Sequence, residues 1–124
     1  MYIAVGYLGV LELADTGDSV QIYRAVGFAE FISIMDTGHF SLRPNGLEAK
    51  YFGLDFSDTL VFANKVFNIH VAAILETTVV RSVLYAIGDF TKVDVSVFRS
   101  GTVGIHKEHL SVFNNAIIEV KHKY

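Results

Sequence analysis

The chain has 124 residues, a length at which one hydrophobic core serves one domain. Apolar residues make up 52% of it and its mean hydropathy is +0.41, which excludes a disordered chain. Ten basic against thirteen acidic residues leave a net charge of -3 without a long run of one sign, so no footprint for nucleic acid stands out, and the lack of cysteine excludes disulfides, thiolate catalysis and cysteine-zinc sites.

In chain order, residues 1–14 are nearly all apolar, but they are too short to span a bilayer, lack a basic leader and contain Glu12. They read as a buried strand, so no membrane is expected as a partner and the chain is expected to be soluble. Asp15-Thr16-Gly17-Asp18 is a turn, after which Val20, Ile22, Arg24 and Val26 alternate with Gln21, Tyr23 and Ala25 as in a strand crossing the centre of a sheet. Phe28, Phe31, Ile32 and Met35 recur at helical spacing and predict the core-facing stripe of a helix, with Gly38 as its left-handed cap.

Residues 39–42 predict a short strand, Pro44-Asn45-Gly46 a turn, and residues 49–53 a second buried strand. Ser57 is the expected cap of a second helix, with Asp58 in its first turn and Leu60, Ala63, Asn64 and Phe67 at helical spacing, and Asn68 as its exit. Branched apolar residues then predict strands over residues 69–80, 94–98, 102–105 and 116–121, with 80–88 open between helix and strand and Asn114-Asn115 as a turn. Helices early and strands late give an α+β domain whose sheet is mixed or mainly antiparallel, with two or three short helices.

One ordered set of residues carries chemistry: Tyr23-Arg24-Ala25-Val26, a helix ending in Asp36-Thr37-Gly38-His39-Phe40, then Leu47-Glu48-Ala49-Lys50-Tyr51-Phe52, then a helix bearing Phe62. This order resembles the ADP-ribosyltransferase fold, in particular the small toxin domains at the tips of bacterial polymorphic secreted proteins. The segment from Ala49 to Phe62 is also similar to the NAD-binding segment of poly(ADP-ribose) polymerases, in which two aromatic rings eleven residues apart sandwich the nicotinamide. The resemblance implies a compact fold with a split sheet, a single domain over 1–124, an NAD-binding half at 20–67 and a mainly β half at 69–124.

It further implies NAD as co-substrate, Arg24 on the dinucleotide, Tyr51 and Phe62 around the nicotinamide, and Asn45 and Glu48 near its amide or the ribose. An arginine on a rigid strand suits a pyrophosphate because its planar fork pairs with anionic oxygens. The same residue also suits a structural ion pair, and Tyr51 and Phe62 also suit core packing. The transferase reaction needs a glutamate just before the strand at 102–105, but Phe98-Arg99-Ser100-Gly101-Thr102 contains no carboxylate. Glu108 is then the candidate catalytic acid, with Asp94 and Glu76 behind it.

His106 and His109 lack a third ligand at a recognisable interval, so no metal site is expected, and no phosphate-cradling glycine loop or nucleophile elbow occurs. Two readings stay open. The first is a mono-ADP-ribosyltransferase toxin domain, delivered into a target cytoplasm or cytoplasmic itself. It would modify a protein rather than RNA and would be restrained by a cognate inhibitor protein. The second is a catalytically impaired binding or interaction module on the same fold, with self-association as one of its uses.

Overall fold

The computed structural model describes residues 18–42, 49–67, 71–90 and 92–124. The predicted strand at 1–14, the turn at Pro44-Asn45-Gly46, the helix exit at Asn68, and the site candidates Asn45 and Glu48 lie outside the described residues.

Among the described residues there are five strands: β1 (Ser19–Val26), β2 (Ala49–Gly53), β3 (Ala73–Val80), β4 (Thr102–His106) and β5 (Ile117–His122). They form one sheet in the order β4-β2-β1-β3-β5, and every pairing is antiparallel. The alternation read from Val20 to Val26 thus becomes the central strand. Four α-helices accompany the sheet among the described residues: α1 (Phe28–Thr37), α2 (Phe56–Phe62), α3 (Arg81–Ile87) and α4 (Leu110–Asn115). The domain is α+β, as its pattern implies.

Register divides the sheet into two ladders. β1 pairs with β3 along its whole length, from Ser19↔Val80 to Val26↔Ala73, and β2 pairs with β4 from Ala49↔His106 to Gly53↔Thr102. Between them, β1 meets β2 in register at Tyr23↔Gly53 alone. Because side chains alternate across a strand, Ile22, Arg24 and Val26 share one face with Phe52, Leu75 and Val103, while Tyr23 and Ala25 share the other with Tyr51, Gly53 and Ile74.

The first face holds the main core, where Ile34 of α1, Leu84 of α3 and Phe113 of α4 close over the sheet. Phe40, Phe52 and Phe113 meet there with ring centroids 5.0, 5.3 and 6.0 Å apart. The second face is covered by α2 and the π-helical turn after it, with Ala63 against Ala25 and Ile74.

Several local expectations change. In α1 the buried residue is Ile34, whereas Phe28, Ile32 and Met35 of the predicted stripe are 70%, 48% and 44% exposed. Glu30 decides the rotation: it stands four residues before Ile34 on the same side of the helix, and its carboxylate is drawn to Arg24 and Lys50 on the sheet. Gly38 does adopt the left-handed conformation, φ 75°, and its N–H bonds the Ile34 carbonyl.

Residues 39–42 form no strand. Instead the Asn114 side chain, expected in a turn but lying in α4, clamps the Phe40 backbone, accepting its N–H at 2.9 Å and donating to its carbonyl at 2.8 Å. Asp55, not Ser57, caps α2, because β2 ends at Gly53 and the helix starts at once; its carboxylate accepts the Asp58 N–H. The expected strand at 94–98 is a succession of turns. Asp94 has φ 48°, a conformation aspartate tolerates, and its carbonyl accepts the N–H groups of both Val97 and Phe98 at 2.9 Å. The open segment at 80–88 resolves as the helix α3.

Candidate functional site

β1 carries Arg24 toward α1, where its Nε and Nη2 donate to the two Glu30 carboxylate oxygens at 2.7 and 3.1 Å. This is the bidentate fork that arginine makes with a carboxylate. The remaining terminal nitrogen, Nη1, donates at 2.9 Å to the main-chain carbonyl of Tyr51. That bond crosses from β1 to β2, beside the single register point of the two strands.

Lys50, buried in β2, adds its Nζ to Glu30 at 3.2 Å. Burial alone would push the Glu30 carboxyl up, but the hydrogen bonds and charge of Arg24, joined by those of Lys50, overrule it and hold the carboxyl below its ordinary value.

Tyr51 and Phe62 project from the opposite face to Arg24. Tyr51 lies over Gly104, its register partner, where a Cβ would come within 2.8 Å of the ring. Two residues on, Gly53 is equally bare, and a Cβ there would meet Thr59 Oγ1 at 2.4 Å and the Phe98 ring at 3.0 Å. Phe98 in turn meets Phe62, with centroids 5.3 Å apart and planes at 37°. The structure therefore brings Phe62 and the Tyr51 strand to one side of the sheet, and it sets Phe98 on the floor beside them. Arg24 reaches this strand through its backbone only.

Residues 98–102 supply no carboxylate of their own to the start of β4, where instead Asp58 of α2 accepts the Ser100 N–H on its Oδ2 at 2.8 Å. Glu108 is exposed in the 3-10 turn Lys107–His109, beyond the far end of that strand. Five strand residues separate the two ends, on the order of 15 Å. Asp94 is exposed in its turn.

Glu76 is buried on the α2 side of the sheet, where its Oε2 accepts the Tyr23 hydroxyl at 3.0 Å and lies 3.8 Å from Lys123 Nζ. Burial raises the Tyr23 phenol above its ordinary value, and the Glu76 hydrogen bond and charge add to this. His106 Nε2 stands 2.8 Å from Asp89 Oδ2. Among the described residues no group of three or more histidines and acids is placed to hold a metal ion.

Among the described residues the Arg24 fork is engaged by Glu30, the Phe98 ring stands beside Phe62, and residues 98–102 supply no carboxylate. Sequence reasoning missed Glu30, Lys50 and Phe98. Glu30 sits six residues after Arg24 in the first turn of a predicted helix, which is the one signal of an ion pair that the chain offers; Phe98 gives none, because a turn and not a strand delivers it. Among the described residues no helix is long and apolar enough to cross a membrane. No protein-family model, curated protein or solved structure matches the chain.

Proposed function

We propose that the chain is an ADP-ribosyltransferase-like binding module in which the transfer reaction is impaired. The observation that carries this reading is the start of β4: residues 98–102 hold no carboxylate, and the position opposite Gly53 is Thr102, buried and uncharged. Without a glutamate of the strand's own there, an oxocarbenium-like state lacks the group that in the family stabilises it and activates the acceptor. Supporting the transferase-like part are the order strand, helix, strand, helix with Arg24, Tyr51 and Phe62 at the positions the resemblance gives, and a sheet that opens between β1 and β2.

Supporting the binding part is the exposed apolar stripe of Phe28, Ile32 and Met35, surface of a kind that protein partners cover. A net charge of -3 favours such a partner over RNA, be it a target or a cognate inhibitor. In a delivered effector this module would act by occupying its partner.

Calorimetry with NAD, followed by mass spectrometry of the nucleotide and of lysate proteins incubated with it, tests the reading. The expected result is no NAD hydrolysis above the buffer rate and no added ADP-ribose. The opening between β1 and β2 favours a second reading, an active transferase. Modified proteins that disappear with Glu108→Gln would establish it in place of the first.

A further inference from the structure

We infer that the free edge of β5, with the flank of α1 that borders it, is where a second copy of this chain docks, so that two sheets join antiparallel about a two-fold axis at Val120. The inference names a partner for the binding part of the reading above and does not rest on impaired transfer. A target or inhibitor seeking the same stripe would compete with the second copy.

β5 ends the sheet, and among the described residues no strand pairs with its outer side. The Lys123 N–H donates to the Ile74 carbonyl at 2.9 Å, and main-chain groups alternate in direction along an antiparallel ladder. Lys121 and Glu119 therefore turn theirs to β3, and Val120 and His122 turn theirs outward. Outward groups of this kind take up another strand.

Charge decides which strand. Val120 lies between Glu119 and Lys121, both exposed. When two copies of β5 run antiparallel with Val120 facing Val120, each Glu119 stands opposite the Lys121 of the other copy, in the non-hydrogen-bonded positions where side chains come closest. A slip of two residues either way sets Lys121 against Lys121 or Glu119 against Glu119. A lysine and a register shift, here at Thr78/Val79, deny an edge to unrelated strands; the neighbouring glutamate makes this edge selective for its own copy.

α1 supplies the apolar part. Phe28, Phe31 and Met35 follow one another at three and four residues along one side of the helix. Phe31 reaches β5, where its ring meets the His122 imidazole edge-on with centroids 5.2 Å apart, whereas Glu30 points the other way, to β1 and β2. The exposed Phe28 and Met35 thus border the same free edge, and the two-fold that pairs the strands turns the stripes of both copies toward each other.

Sedimentation velocity of the full chain over a concentration series tests this. The expected mass rises with concentration toward twice 13.7 kDa. Glu119→Lys and Lys121→Glu should each weaken dimerisation at least about tenfold, since each sets like charges opposite at two places. An equimolar mixture of the two variants should recover the parent affinity to within about threefold, because each then meets its opposite in the other chain. Met35→Lys should weaken the dimer at least about fivefold by setting a charge in its apolar part.

A chain monomeric up to about 1 mM overturns the inference, with slow hydrogen exchange of the Val120 and His122 amides then assigning the edge to residues 1–14. So does a dimer that Glu119→Lys or Met35→Lys leaves unchanged. If Lys121→Glu does not fold beside Glu76, its register partner, those two variants alone decide. NAD turnover by the parent chain would overturn the impaired reading and leave the dimer standing.

Discussion

Glu30→Ala is expected to lower the free energy of unfolding by about 2–4 kcal/mol, the cost of removing a carboxylate from buried and half-buried cations, discounted because the group is one quarter exposed. Three interactions depend on it: both arms of the Arg24 fork and the Lys50 contact. Once they are gone, Arg24 is held by the Tyr51 carbonyl alone among these bonds, and the opening between β1 and β2 loses its brace.

The charge has a pH signature. The Glu30 carboxyl titrates below its ordinary 4.5 in the folded chain, so the folded state binds its proton less readily than the unfolded one. Its contribution is fully present above about pH 4.5 and is lost as the pH falls through the lowered folded value. Urea unfolding of the parent chain and Glu30→Gln at pH 7 and at pH 3 should show a gap that closes in acid. A gap of constant size would mean that the charge is not what holds this cluster.

Phe113→Ala is expected to destabilise the fold by about 3–5 kcal/mol, the usual range for deleting a fully buried aromatic ring. The ring touches both Phe40 and Phe52, so its loss leaves a cavity bordered by two rings that cannot close on it without moving their own backbones. Phe40 is further fixed by Asn114, the next residue of α4. The substitution should therefore loosen the chain around Phe40 as well as lower the urea midpoint. An unfolding free energy within about half a kcal/mol of the parent's would show that α4 is not part of the core.

The fold was legible where period alone decides. Alternation from Val20 to Val26 marks a strand, and Gly38 marks a helix end because few residues other than glycine take φ 75° without strain. What the pattern could not carry is rotation. α1 has apolar residues on two sides, and the side that faces the sheet was chosen by one ion cluster whose members are six and twenty residues apart.

The candidate site was legible in its parts and not in its assembly. Arg24 was correctly placed on a central strand, but whether it grips a ligand or a neighbouring carboxylate depends on Glu30, which only the helix direction brings to it. Tyr51 and Phe62 were placed on the right elements. The ring that meets Phe62 comes from a turn whose sequence, Val95-Ser96-Val97, alternates like a strand; its backbone bonds are satisfied locally, and periodicity is blind to that choice.

The single register point between β1 and β2 has a consequence for how the molecule holds together. A ladder of β1, β3 and β5 and a ladder of β2 and β4 meet at Tyr23↔Gly53, so almost no main-chain hydrogen bonding couples one to the other. What joins the two ladders is therefore side chain rather than main chain: the Arg24 bond to the Tyr51 carbonyl and one shared core in which Ile22, Val26 and Leu75 pack with Phe52, Val103 and Ile105.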